Sequence, residues 1–155
     1  MSYQSFEQVL QKCHTEEKEF WQVILEDDMA ERNVSEEDSM EHMRATWDAM
    51  LLAAATYEGD LNSSSGLVGG DGRRMEEYIH SAGIPSLCGE YVDTCIAGAL
   101  QMGESNACMK RIVAAPTAGA CGVLPAVLVP YFQKRCKDTD KILKAMYVAA
   151  GIGQI

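Results

Sequence analysis

Two stretches of this 155-residue chain gather small, hydroxylic and turn-forming residues where a ligand could meet the backbone. The first, Asn62-Ser63-Ser64-Ser65-Gly66-Leu67-Val68-Gly69-Gly70-Asp71-Gly72, is Ser or Gly at seven of eleven positions. It runs into a charged, helix-like segment at Arg73. Glycine lets the main chain approach a guest closely, and a loop that opens a helix can aim several N–H groups at an anion. Phosphate or carboxylate would suit it, although a plain flexible connector has the same composition. The nucleotide fingerprints fail: the five-residue step from Gly66 lands on Asp71, and Gly70-Asp71-Gly72 is followed by Met75 where a third glycine is required. The second stretch, Val113-Ala114-Ala115-Pro116-Thr117-Ala118-Gly119-Ala120-Cys121-Gly122, is equally irregular and follows Lys110-Arg111. A lysine beside a glycine loop invites a pyridoxal-phosphate reading with Lys110 as the Schiff-base amine.

Other chemistry is harder to build. The six cysteines (Cys13, Cys88, Cys95, Cys108, Cys121, Cys136) contain no C-x-x-C, and His14, His42 and His80 form no H-E-x-x-H set, so a metal site made from this chain alone is not expected. The histidines read as ordinary surface residues. Formal charges sum to −10 with a pI near 4.7, which argues against nucleic acid or anionic membrane as partner. The start lacks a basic n-region followed by an apolar run, so the expectation is a cytoplasmic chain with reduced thiols. The longest nearly apolar run, Ala120 to Tyr131, contains Pro125 and Pro130 and falls short of the roughly 20 residues a membrane-spanning helix needs.

The elements that would hold these loops are helical. Residues 1–60 carry 4 basic and 15 acidic side chains, against 9 and 8 in 61–155, and only Gly59 of the 13 glycines lies in the first segment. An acidic, helical lead-in therefore precedes a nearly neutral, glycine-punctuated part in what reads as a single domain spanning 1–155. Amphipathic periodicity predicts helices over 5–14 and 18–32. Ser35-Glu36-Glu37-Asp38 is a start signal for a helix over 36–58, whose stripe Met40, Met43, Trp47, Met50, Ala54 and Tyr57 reads as core. Further helices are expected from Arg73 to near Gly83 and Pro85, over 86–103, and from Asp138 or Thr139 to Gly151, while the apolar run over 123–132 reads as a short buried strand or a buried helix, its length and two prolines favouring a bent helix. Cys88 and Cys95, on one face of the 86–103 helix and partly aligned with Val92, Ile96 and Leu100, read as small buried apolar groups. No convincing strand pattern occurs, so the predicted fold is all-α, a bundle of about six helices with two Gly/Ser/Pro-rich loops.

Two blocks carry a family resemblance. Ser65-Gly66-Leu67-Val68-Gly69-Gly70-Asp71 and Asn106-Ala107-Cys108-Met109-Lys110-Arg111-Ile112-Val113-Ala114-Ala115-Pro116-Thr117-Ala118-Gly119-Ala120-Cys121-Gly122-Val123-Leu124-Pro125 resemble the S-G-L-x-G-G-D and N-A-x-M-x-x-I-x-A-x-P-T-x-G-x-x-G-x-x-P signatures of the iron–sulfur-dependent L-serine dehydratase α chain. The acidic lead-in is similar in spacing, so the resemblance covers nearly the whole chain. It implies conversion of L-serine to pyruvate and ammonia at a 4Fe-4S cluster whose open iron acts as a Lewis acid on the β-hydroxyl while a base, which the sequence does not identify, removes the α proton. By the same resemblance the substrate carboxylate would be held by main-chain N–H groups and by Ser65, Asn106 and Thr117, with Ser64, Gly66, Gly119 and Gly122 shaping the loops. The bends centred on Leu67 and Ala118 would have to meet in space.

The family's cluster-binding cysteines lie in glycine-flanked motifs downstream, and none of the six here matches them. The chain thus looks like the N-terminal half of an α chain, expected to hold no cluster and to be inactive alone. It would depend on the C-terminal half, on a β chain or domain in many relatives, and on oligomers that hide apolar surface around 120–132 and 142–155. A non-catalytic helical interaction module is the alternative.

Overall fold

A computed structural model describes residues 3–81, 86, 88–115 and 117–154. Among them are seven α-helices and no strand: α1 Phe6–Glu16, α2 Phe20–Arg32, α3 Glu36–Ala55, α4 Asp71–His80, α5 Glu90–Ala107, α6 Val123–Tyr131 and α7 Thr139–Gln154, with a 3-10 turn at Ala118–Ala120 and a π turn at Phe132–Cys136. The all-α prediction holds. Pro116 and the expected helix end at Gly83 and Pro85 lie outside the described residues.

The chain divides into two compact units, one of residues up to Trp47 with those from Asp138 onward, the other Asp48–Lys137. In the first, Val9, Val23, Ile24, Leu25 and Tyr147 form the buried centre, with Phe20, Trp21, Met29, Met40 and Met43 packed against it. The expected uncovered surface at 142–155 is largely absent, because α7 packs on α2 and buries Ile142, Leu143, Met146 and Tyr147, leaving Ile152 exposed. Gly151 does not end α7, which continues to Gln154. A Cβ at Gly151 would come within 2.6–2.8 Å of Ile24 and Phe20, so this glycine permits close helix approach. The buried Ser39 hydroxyl donates to Asp28 Oδ2 (2.5 Å) and accepts from the Tyr147 hydroxyl (2.7 Å), satisfying polar groups inside this core.

In the second unit the end of α3 and helices α4, α5 and α6 enclose Met50, Ala53, Leu61, Ala97, Met102, Cys121, Ala126 and Val129. Of the stripe read as core, Met50 here and Trp47 in the first unit are fully buried, while Met40, Met43, Ala54 and Tyr57 are half-buried. Several boundaries differ from expectation. The third helix stops at Ala55, not 58. Helix α4 starts at Asp71, two residues early, because Gly70 turns the chain at φ 82° and the first N–H groups find an acceptor described below. Helix α5 starts at Glu90, not 86, because Gly89 sits at φ 87°, outside helical space, with its N–H donating to Ser86 Oγ. Cys88 is therefore outside the helix and exposed, and Cys95 is half-buried. The thiols are not the buried pair expected, since α5 turns Asp93, Ala97 and Met102 inward and leaves Val92, Ile96 and Leu100 outside. In α6, Pro125 falls in the first turn, where its missing N–H costs nothing, whereas Pro130 lies inside and the helix passes directly into the wider π turn.

Candidate functional site

The first loop is a built turn. Ser63 N–H donates to Val68 O (2.8 Å), Gly66 N–H to Ser63 O (2.9 Å), and Val68 N–H to Ser63 Oγ (3.1 Å). The Ser65 hydroxyl lies 3.1 Å from that of Ser63 and accepts from Leu67 N–H at 3.4 Å. Gly66 at φ 70° supplies the left-handed step at the tip. Ser64, Ser65 and Gly66 are exposed there, and Leu67 is 88% exposed.

The second loop is pinned differently. Asn106 Nδ2 donates to Ala118 O (3.1 Å), and Thr117 Oγ1 accepts from Ala120 N–H (3.2 Å), capping the short turn. Asn106, Thr117 and Gly119 are exposed. Gly122 sits at the seam with α5, where an added Cβ would lie 3.0 Å from Ala99 O. Its role is close packing of α6 on α5.

One residue that sequence reasoning missed organises the region. Glu104, 3% exposed in the last turn of α5, accepts from the Tyr57 hydroxyl (2.5 Å), Asp71 N–H (2.5 Å) and Gly72 N–H (3.1 Å). Charge-assisted bonds of this kind are the strong ones, and a carboxylate at a helix N-terminus also meets the positive end of its dipole. Glu104 thus anchors the exit of the first loop, and Asn106, two residues on, anchors the second. Both loops are tied to the last turn of one helix. A signal was available: Glu104 is the only acidic residue between Asp93 and Asp138. The same geometry restricts the anion reading, because two of the first N–H groups of α4 already serve an internal carboxylate. A guest would be left with the loop tip, the Ser65 hydroxyl and the second N–H of the Asn106 amide.

Burial raises the Tyr57 hydroxyl's pKa above its ordinary value near 10, helped by the adjacent Glu104 carboxylate. A raised pKa means the fold prefers the protonated phenol. Its contribution to stability is complete below about pH 10 and is lost as the pH climbs toward the raised value. Burial raises Tyr91 and Tyr147 as well. Tyr57→Phe is therefore expected to reduce, not abolish, the alkaline fall in stability between about pH 10 and 12, read by urea denaturation across that range.

The second unit also holds a cavity of about 270 Å³, lined by Glu76, His80, Thr94, Gln101, Pro125 and Lys134 among others. None of the seven predicted substrate residues lines it. The donors of the two loops, Ser65, Asn106 and Thr117, sit on exposed residues. Lys110 is exposed and its ammonium pairs with Glu58 Oε2 at 2.8 Å, which raises its pKa. A Schiff-base lysine needs the opposite, a neutral amine. No three His, Cys, Asp or Glu side chains among the described residues gather where they could hold a metal ion. No helix among them is long and apolar enough to cross a membrane.

Among the described residues the chain is an all-helical protein whose two signature loops hang from the end of one helix. The chain belongs to the serine dehydratase alpha chain family, whose model matches residues 15–155. It is 29% identical over 150 residues to the L-serine dehydratase alpha chain of Peptoniphilus asaccharolyticus, covering 96% of this chain and 50% of that one. It is 28% identical over 131 residues to a probable L-serine dehydratase alpha chain of Bacillus subtilis, covering 84% and 43%. A shorter stretch of 54 residues is 44% identical to an L-serine dehydratase of Haemophilus influenzae, covering 35% and 12%. The chain spans about half the length of the curated alpha chains it matches. No solved structure matches it.

Proposed function

We propose that this chain is the substrate-side part of an L-serine ammonia-lyase, which converts L-serine to pyruvate and ammonia. The observation that carries this reading is the common anchorage of both signature loops at the end of α5, through Glu104 and Asn106, in a chain of the serine dehydratase alpha chain family. The Ser65 hydroxyl, the free N–H of the Asn106 amide and the Thr117 hydroxyl would donate to the substrate carboxylate. Ser64, Gly66, Gly119 and Gly122 would give the loops their shape. Because these donors sit on exposed residues, another polypeptide segment must close the site and exclude water for the contacts to be strong. In this reading the remainder of a family alpha chain supplies that wall and the 4Fe-4S ligands, a β chain or domain takes part, and the six free cysteines suit a reducing cytosol.

Calorimetry with L-serine is the direct test. Weak binding is expected, reduced about tenfold by Asn106→Ala, as loss of one hydrogen bond to a charged group implies. Binding absent altogether, or indifferent to Ser65, Asn106 and Thr117 substitutions, would leave the non-catalytic interaction module as the better reading. The pyridoxal-phosphate alternative requires a borohydride-trapped adduct that disappears in Lys110→Ala. The ion pair of Lys110 with Glu58 predicts no such adduct.

A further inference from the structure

Six of the ten exposed large apolar side chains among the described residues of the second unit lie on α5 and α6. Val92, Ile96 and Leu100 recur at four-residue steps on α5, and Val123, Val127 and Tyr131 do the same on α6. All six are between 37% and 56% exposed. The two helices run antiparallel in contact: Gly98 lies against Ala126, Gly122 against Ala99, and the Tyr91 hydroxyl donates to Val127 O at 3.3 Å. Tyr91 also interacts with Cys95 on its own helix and with Tyr131, the last residue of the α6 stripe. Between them on α5 come Cys95, Ala99 and Gly103, all small, and a Cβ added at Gly103 would meet nothing within 4 Å. None of these nine residues is charged. Two ridges of large side chains flanking a floor of small ones make the groove into which a third helix packs.

We infer that this groove seats an apolar helix from the portion of a family alpha chain that this sequence does not match, an inference that rests on the proposed function. The matched relatives carry as much chain again as they share with this one, and that length has to be packed. The groove spans residues 92–103, about 17 Å of helix, which suits an occupant of three to four turns. Followed along α5 past Gly103 it leads to the exposed Asn106, so a helix lying in it ends beside the second loop that Asn106 pins.

The test is co-expression of this full chain with the unmatched half of the Peptoniphilus asaccharolyticus alpha chain as a separate polypeptide. Mass is measured by light scattering and protection by amide exchange. The expected result is a one-to-one complex with new protection over 92–103 and 123–131. Ile96→Asp and Val127→Asp should each weaken it more than tenfold, while Leu10→Asp, at an exposed apolar position in α1, should not. Circular dichroism and melting of the variant chains alone verify that they fold. No complex, protection confined to other helices, indifference to both aspartates, or a homodimer that the same aspartates dissociate would each overturn the inference. Pyruvate formation separates the two claims. A complex that is active but insensitive to Ile96→Asp and Val127→Asp ends the docking inference and leaves the enzymatic reading standing. A complex that forms through this face, is reconstituted anaerobically with iron and sulfide, and makes no pyruvate does the reverse.

Discussion

Glu104→Ala is expected to lower the stability of the chain by about 3 kcal/mol, the largest effect of any single polar substitution in the second unit. The truncation removes one carboxylate and leaves three donors behind, the Tyr57 hydroxyl and the N–H groups of Asp71 and Gly72. Gly72 is buried and Tyr57 half-buried, so water recovers only part of what is lost. Glu104→Gln keeps one acceptor oxygen of similar shape and should cost about 1 kcal/mol. The distinguishing measurement is amide exchange at Asp71 and Gly72. Both should speed up strongly in the alanine variant, with disorder spreading through the 61–70 loop, while residues of α1, α2 and α7 change little. Tyr57→Phe combined with Glu104→Gln should give less than additive loss, because both act on one hydrogen-bonded group. Full additivity, or a stable alanine variant with unchanged exchange at 71 and 72, would show that the carboxylate does not hold the loop.

Gly69→Ala is expected to cost about 3 kcal/mol for a different reason. Gly69 sits at φ 152°, and an added Cβ would collide with the Leu61 carbonyl oxygen and come within 2.7 Å of Asn62 Oδ1. The obstacle is backbone, so no side-chain rotation relieves it. Gly66→Ala is the informative comparison. It also has a positive φ, 70°, but nothing lies within 4 Å of the new methyl group, so only the conformational cost of about 1 kcal/mol applies. Urea denaturation of both variants should rank them in that order. Equal losses would mean that the packing of the loop against Leu61 and Asn62 contributes nothing.

Much of this molecule was legible in its amino-acid order because the signals are local. Helical periodicity over 36–55 and the Ser35 start follow from residues three or four apart, and all seven helices overlap predicted segments. The turn at Ser63–Gly70 was visible because glycine and serine have local conformational preferences that need no partner. Boundaries shifted where a distant acceptor or a glycine torsion intervened, as at Asp71 and Glu90.

What the order of residues could not convey is which groups meet across the fold. Glu104 lies 33 residues from Asp71 and 47 from Tyr57, and no periodicity encodes that encounter. The same holds for the sides of α5. Val92, Ile96 and Leu100 read as apolar in any one-dimensional pattern, and only the packing of Asp93, Ala97 and Met102 toward the neighbouring helices decided that they stay outside. Sequence alone determined the helices, the two turns and the family signatures, because these depend on short-range torsions and on side-chain identity. Tertiary structure alone decided that both turns hang from one helix end and that the helix beside them keeps an uncovered apolar groove, because burial and long-range hydrogen bonds exist only once the chain has closed on itself.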